Sequence, residues 1–157
     1  MFRRFLIIIL FTFSFSQICF SAATGDSGGS KADYYKKGAD LIKAAKKLDE
    51  KGKTKKALKR YERAKKYLLK ANKNNPNNPD TLNYLGYATR KLGDFENAEK
   101  YYLQGLLIDP KHIGINEYLG ELYVETNRIN LAKERLEILI GCKCEEYDEL
   151  KELIEKN

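Results

Sequence analysis

A skeleton of residues returns along this chain at an interval of 34. Laid over residues 113–146, residues 79–112 place Tyr84 on Tyr118, Leu85 on Leu119, Gly86 on Gly120 and Ala98 on Ala132. Phe95 falls on Ile129 and Tyr102 on Leu136, and Pro76 recurs as Pro110. Within each copy the apolar residues follow a helical period, with a break at Gly93-Asp94. A unit of this length forms one pair of helices, too small to bury its own apolar face. Copies must therefore stack, each covering its neighbour.

The matched residues have physical tasks. Gly86 and Gly120 are expected where the two helices of a hairpin press closest, and Ala98 and Ala132 do the same from the second helix. Leu85, Tyr102, Leu119 and Leu136 supply apolar area, at roughly 25 cal/mol per Å² buried. Asn78 is a capping residue, Pro79 suits the first helical position, and Gly93-Asp94 stops one helix and caps the next.

Leu-Gly early, Ala in the middle and Pro late in a 34-residue period resembles the tetratricopeptide repeat (TPR), a helix-turn-helix unit. The resemblance implies an all-α fold, a TPR-like stack of helical hairpins. Two departures stand out: the family's early Trp is Leu82 in one unit and Asn116 in the other, and Cys144 stands where Pro110 stood. The "CEEY" near the end resembles the close of many exported bacterial TPR proteins.

Upstream the phase shifts. Gly52, Ala57 and Tyr61 match Gly93, Ala98 and Tyr102, but Gly52 lies 41 residues before Gly93, seven too many. Gly38 precedes Gly52 by 14 residues, where Gly86 precedes Gly93 by seven. Each arm of the first unit thus carries seven extra residues, two turns that leave a buried seam in register. Tyr34, Gly38, Leu41, Ala45 and Leu48 on one arm, and Ala57, Tyr61, Ala64, Leu68 and Ala71 on the other, keep a 4,3,4,3 spacing. That is the pattern of a paired coiled-coil hairpin, with its turn expected at Lys51 to Thr54. At the other end Tyr147, Leu150, Leu153 and Ile154 share one helical face, as a terminal capping helix requires. Glu145 and Glu146 at its start suit the helix dipole.

The expected organisation is a signal peptide over 1–23, a Gly/Ser-rich linker over 24–30, and a TPR-like domain over 31–157. The domain divides into an elongated basic hairpin (31–78), a second repeat (79–112), a third (113–144) and the capping helix (145–157). Arg3 and Arg4, the apolar run Phe5 to Phe13, and small residues up to Ala23 have the layout of a cleavable secretory signal. Cleavage near Ala23 would place the chain in the periplasm or outside the cell, and an uncleaved segment would leave it membrane-anchored.

Charge is unevenly distributed. Residues 31–73 hold 17 Lys and Arg against 5 Asp and Glu, whereas residues 74–157 hold 10 against 16. The basic hairpin suits an acidic protein or an anionic membrane surface. It lacks the aromatic stacking platforms of single-strand nucleic-acid binders, and no nucleic-acid partner is expected. The charge separation also allows salt-dependent head-to-tail self-association. A solvated lysine-rich face with no partner is the bland reading of the same counts.

Catalytic patterns are missing from the sequence: there is no HExxH run, P-loop or Gly-rich phosphate cradle, and the single histidine is His112, in an inter-repeat loop. The chain reads as no enzyme and calls for no cofactor. Cys142 and Cys144, with one residue between them, are candidates for a disulfide in an oxidising compartment. A thiol-redox or metal-linked role for the pair is the alternative, although two ligands do not close a zinc site.

The TPR resemblance implies a concave groove lined by the first helix of each hairpin, holding a protein partner. By repeat position its residues are Tyr35 and Ala39, then Asn83, Tyr87, Arg90 and Lys91, then Glu117, Glu121, Val124 and Glu125. Tyr87 stands out as an aromatic anchor beside two cations. The family's Lys/Asn/Arg clamp for a C-terminal carboxylate does not map, because its positions hold Tyr35, Ala39, Tyr84, Gly114 and Tyr118. The expected function is that of a non-catalytic scaffold or adaptor of the bacterial cell envelope.

Overall fold

The structure, a computed structural model, describes residues 31–157; the expected signal peptide and linker lie outside the described residues. These residues form α1 (Lys31–Asp49), α2 (Thr54–Asn74), α3 (Pro79–Lys91), α4 (Phe95–Ile108), α5 (Ile113–Glu125), α6 (Ile129–Leu139) and α7 (Glu145–Glu155), with no strand among them. None of these helices is long and apolar enough to cross a membrane.

The described residues form an all-α stack of three hairpins closed by a seventh helix. Helices α1, α3 and α5 touch in succession as an inner row, while α2, α4 and α6 each lie outside it without touching one another. Helix α7 packs on α5 and α6.

Local chemistry sets the ends of the elements. Asn78 accepts from the Thr81 N–H at 2.7 Å ahead of Pro79, and Asp94 accepts from the Asn97 N–H at 3.2 Å. His112 caps α5, its Nδ1 accepting from the Ile115 N–H at 3.2 Å. All three hairpins turn the same way. The Lys53, Asp94 and Arg128 N–H groups reach back five residues to the carbonyls of Leu48, Thr89 and Tyr123. The residue before each donor sits in the left-handed region: Gly52 at φ 67°, Gly93 at 86° and Asn127 at 57°. Glycine adopts that conformation freely, and Asn tolerates it better than most other residues.

The first hairpin is the elongated one, with helices of 19 and 21 residues against 13 and 14 in the second. Ala57, Tyr61, Ala64, Leu68 and Ala71 of α2 are all buried. Opposite them the α1 seam runs through Gly38, Ile42 and Ala45; Leu41, which the spacing predicts at its centre, packs half-buried at its edge. Ile42 joins the core cluster in which residues of α2 meet Leu85, Tyr87 and Ala88 of the next hairpin.

Close approach explains the glycines. A Cβ on Gly38 would sit 2.5 Å from Leu68 Cγ, and one on Gly86 would overlap the Tyr102 ring. Both meet the partner helix of their own hairpin. Gly120 departs from the expectation: a Cβ there would lie 2.5 Å from Leu150 Cδ2, so the residue it accommodates belongs to α7. The capping helix presses against α5 at the point where the repeat pattern places α6.

Candidate functional site

The expected groove residues all lie on the inner row, but at different depths. At the deep end, Tyr87 of α3 is 5% exposed and lies between neighbouring hairpins, its ring centroid 4.6 Å from that of Tyr118 in a tilted pair and 5.9 Å from that of Tyr61 in an edge-on one. Lys46 of α1 places its Nζ 5.6 Å from both the Tyr87 and Tyr118 rings. Arg90, 3% exposed, lies over the same two rings at 5.4 and 5.8 Å. A desolvated cation held on ring faces is favourable by roughly 2 kcal/mol. Burial raises the Tyr87 hydroxyl to about 12, against the opposing pull of Lys46, so it remains a neutral hydrogen-bonding group.

Arg90 also reaches forward into the next hairpin. Its Nη1 donates to Glu125 Oε1 at 2.9 Å and its Nη2 to Glu121 Oε2. Both carboxylates keep some contact with solvent, so the guanidinium is the buried member of the network. One turn earlier Glu117 is 2% exposed. Burial, then the charges of Glu121 and Glu149, raise its carboxyl to about 9. At neutral pH it is therefore protonated, and it hydrogen-bonds with Glu149 of α7. Oxygens of Glu117, Glu121 and Glu149 lie within 4.8 Å of one another. Arg90 already supplies Glu121 with a cation and Glu117 carries a proton, and the trio is read as an internal network.

Nearer the N-terminal ends of the inner helices, Tyr35 is half-buried with its ring 6.0 Å from that of Tyr84. Asn83 is buried against the third hairpin, its Nδ2 2.8 Å from where a Cβ on Gly114 would stand. Lys91 is partly exposed with Nζ 3.9 Å from Asp49 Oδ2. Ala39 is half-buried, and Val124 is buried at 7% exposure. The structure thus brings Tyr87, Arg90, Glu117, Glu121 and Glu125 into one continuous network and leaves Tyr35 and Asn83 apart from it. Lys46, Tyr118 and Glu149 belong to that network although sequence reasoning passed over them. Tyr118 carried a signal, as the 34-residue echo of Tyr84; Lys46 and Glu149 carried none, being ordinary members of charged helices.

Cys142 and Cys144 are joined as a disulfide across the turn from α6 to α7, with Cα atoms 5.2 Å apart. Gly141 (φ 88°) and Lys143 (φ 52°) give that turn its curvature, and Cys144 is the N-cap of α7. Away from the inner row, Lys100, Leu103, Leu107, Pro110, Arg135 and Ile138 of the α4–α6 side line an apolar hollow of about 700 Å³.

Residues 79–112 match the family model for the tetratricopeptide repeat. Residues 35–92, which span most of α1 and all of α2 and α3, match the model of the MIT (microtubule interacting and transport) domain. Over 66 residues the chain is 36% identical to human protein O-mannosyl-transferase TMTC3; the match takes in 42% of this chain and only 7% of that protein. The fold is similar to the Yersinia enterocolitica type III secretion chaperone SycD in complex with a peptide of the translocator YopD, at 21% identity and TM-score 0.53, covering 75% of this chain and 86% of that one. It is also similar to the second TPR domain of human RPAP3 in complex with an HSP70 peptide, at 19% identity and TM-score 0.51, covering 81% and 99%. These likenesses establish the fold: a TPR-like stack that contains a tetratricopeptide repeat at 79–112.

Proposed function

We propose that this chain is a non-catalytic protein-interaction module that holds a partner segment along its inner row. The observation that carries this reading is the layered construction of that row. Tyr87, Arg90 and Glu117 form a buried floor, and above it Tyr35, Lys91, Glu121 and Glu125 remain within reach of solvent. A buried floor in which Arg90 grips Glu121 and Glu125 orders those two carboxylates in advance, which lowers the ordering cost of binding. Half-buried tyrosines beside charges of both signs suit a polar peptide with an apolar side chain or two. Peptide complexes of SycD and of the RPAP3 domain support the same use of the fold here.

The setting we propose is the bacterial cell envelope, reached through the signal-like segment 1–23. The Cys142–Cys144 disulfide supports an oxidising compartment. Photo-crosslinking in cells from positions 35 and 125, with position 87 as the buried control, tests the reading. Capture of one dominant partner from the two outer positions and little from position 87 is expected. Capture only from the outer helices α2, α4 or α6 would move the working surface off the inner row.

A further inference from the structure

The basic hairpin has a second surface that the groove does not use. Helix α2 buries Ala57, Tyr61, Ala64, Leu68 and Ala71, and its opposite side is a ridge of cations. Lys56, Lys59, Arg63 and Lys66 recur at spacings of three and four, so they form one continuous stripe. All four are exposed, and none has an ion-pair partner among the described residues. Hollows run along the stripe. One of about 370 Å³ is lined by Leu48 with Lys53, Lys56, Lys59, Arg60 and Arg63, and another of about 290 Å³ by Arg63, Lys66, Tyr67 and Lys70.

Beside this ridge stand exposed aliphatic residues. Leu58 and Leu69 are 37% and 41% exposed. Leu58, Lys65 and Leu69 recur at spacings of seven and four and share a flank. Lys65 Nζ lies 4.0 Å from Asp94 Oδ2, so that flank faces the turn between α3 and α4. The outer face of α2 thus combines a stripe of unpaired cations with an apolar margin, on a helix of 21 residues. Glu62 is the one acidic residue of the helix.

We propose that the outer face of α2 docks on an anionic lipid bilayer surface, with Lys56, Lys59, Arg63 and Lys66 over the phosphate headgroups and Leu58 and Leu69 at the acyl boundary. The occupant is a bilayer because the four cations line up over roughly 15 Å of α2, by the rise of an α-helix, on the side opposite the residues the helix buries. The exposed leucines add apolar insertion, which a purely electrostatic partner would not use. This surface shares no residue with the inner-row groove.

Flotation of the full chain with phosphatidylcholine vesicles, with and without a phosphatidylglycerol fraction, tests the proposal. Because the apolar run at 5–13 can bind any bilayer, the quantity read is the gain on adding anionic lipid. That gain should fall as salt rises. It should also fall about fivefold for each cation removed, by the electrostatic contribution of one Lys or Arg near an anionic surface. The variant K56E/K59E/R63E/K66E alters only exposed positions and should keep the helical circular dichroism while losing the gain entirely. L58S/L69S should weaken binding to anionic vesicles without changing its salt slope. An unchanged gain in the charge-reversed variant overturns the proposal. So does tighter binding of wild type to poly-glutamate than to anionic vesicles, which would assign the ridge to an acidic protein. Salt-sensitive self-association abolished by the same variant, with no gain on anionic lipid, would assign it to a second copy of the chain.

Discussion

At one end of the molecule Leu68 of α2 covers Gly38 of α1; at the other, Leu150 of α7 covers Gly120 of α5. The geometry at the two glycines is nearly the same, yet the covering helix differs in kind. In the first hairpin it is the partner arm, two turns longer than the repeat requires, so the hairpin completes its own seam. At the other glycine it is a helix from outside the repeat, which takes the place on α5 that the partner arm holds in the first two hairpins. The surfaces differ as well. Helix α2 presents Lys56, Lys59, Arg63 and Lys66, which have no ion-pair partner among the described residues, whereas α7 opens with Glu145, Glu146 and Asp148 in its first turn. A solenoid of this size needs a closure at each end: here a longer hairpin provides one and a borrowed helix the other.

Truncating each covering leucine tests that comparison most severely. Leu68→Ala and Leu150→Ala remove fully buried side chains, and each should cost about 2–5 kcal/mol in urea denaturation. Comparable losses mean that α7 is as integral to the fold as the α2 arm. A loss at Leu150 far below that at Leu68 would make α7 a peripheral addition and break the comparison.

The acid end should also respond to pH where the basic end does not. Glu117 is protonated in the fold up to about 9, whereas an exposed glutamate ionises near 4.5. Between those values the folded chain binds more protons than the unfolded one at this position. The stability it contributes is complete below pH 4.5 and is lost as pH rises towards 9. Glu121 and Glu149 oppose its ionisation, while Lys46 favours it. Glu117→Gln should therefore flatten the decline and leave the variant more stable than wild type at pH 9, measured by thermal melts across that range. A parallel decline in both proteins would place the proton elsewhere.

Gly38→Ala and Gly86→Ala should each destabilise by about 1–3 kcal/mol, because overpacking outweighs the better helix propensity of alanine. Gly38 meets a leucine that can change rotamer, and Gly86 meets the rigid Tyr102 ring, so Gly86→Ala should be the worse of the two. Equal costs would show that both seams relax alike. Among the smallest effects, Asn78→Ala should remove about 1 kcal/mol by uncapping α3. Lys100→Gln, which breaks an exposed pair with Glu96, should leave the urea midpoint almost unchanged in the same assay.

Much of this architecture was legible in the sequence because helices advertise themselves locally. Asn78-Pro79 and Gly93-Asp94 carry their chemistry within a few residues, and the elongation of the first hairpin showed as a seven-residue offset in both arms. The turn at Asn127 was harder to read, since asparagine there replaces the glycine of the other two turns. The site was less legible. Tyr87, Arg90 and Glu117 occupy the helical face that the repeat assigns to the groove, and sequence position alone does not tell a floor from a rim.

What the sequence determined by itself was the period, the helix ends, the hairpin lengths and the charge of each segment, all consequences of interactions within one hairpin. Only the tertiary structure decided which face of each inner helix its neighbours cover. That choice set Leu150 on Gly120, brought the Tyr118 ring against that of Tyr87, drew Lys46 over both rings and left a proton on Glu117. Burial and electrostatic coupling at these positions depend on groups up to 72 residues apart, such as Lys46 and Tyr118, whose distance is set by the curvature of the stack. Helical periodicity places a residue on a face, and stacking decides whether that face meets water, a partner or another helix.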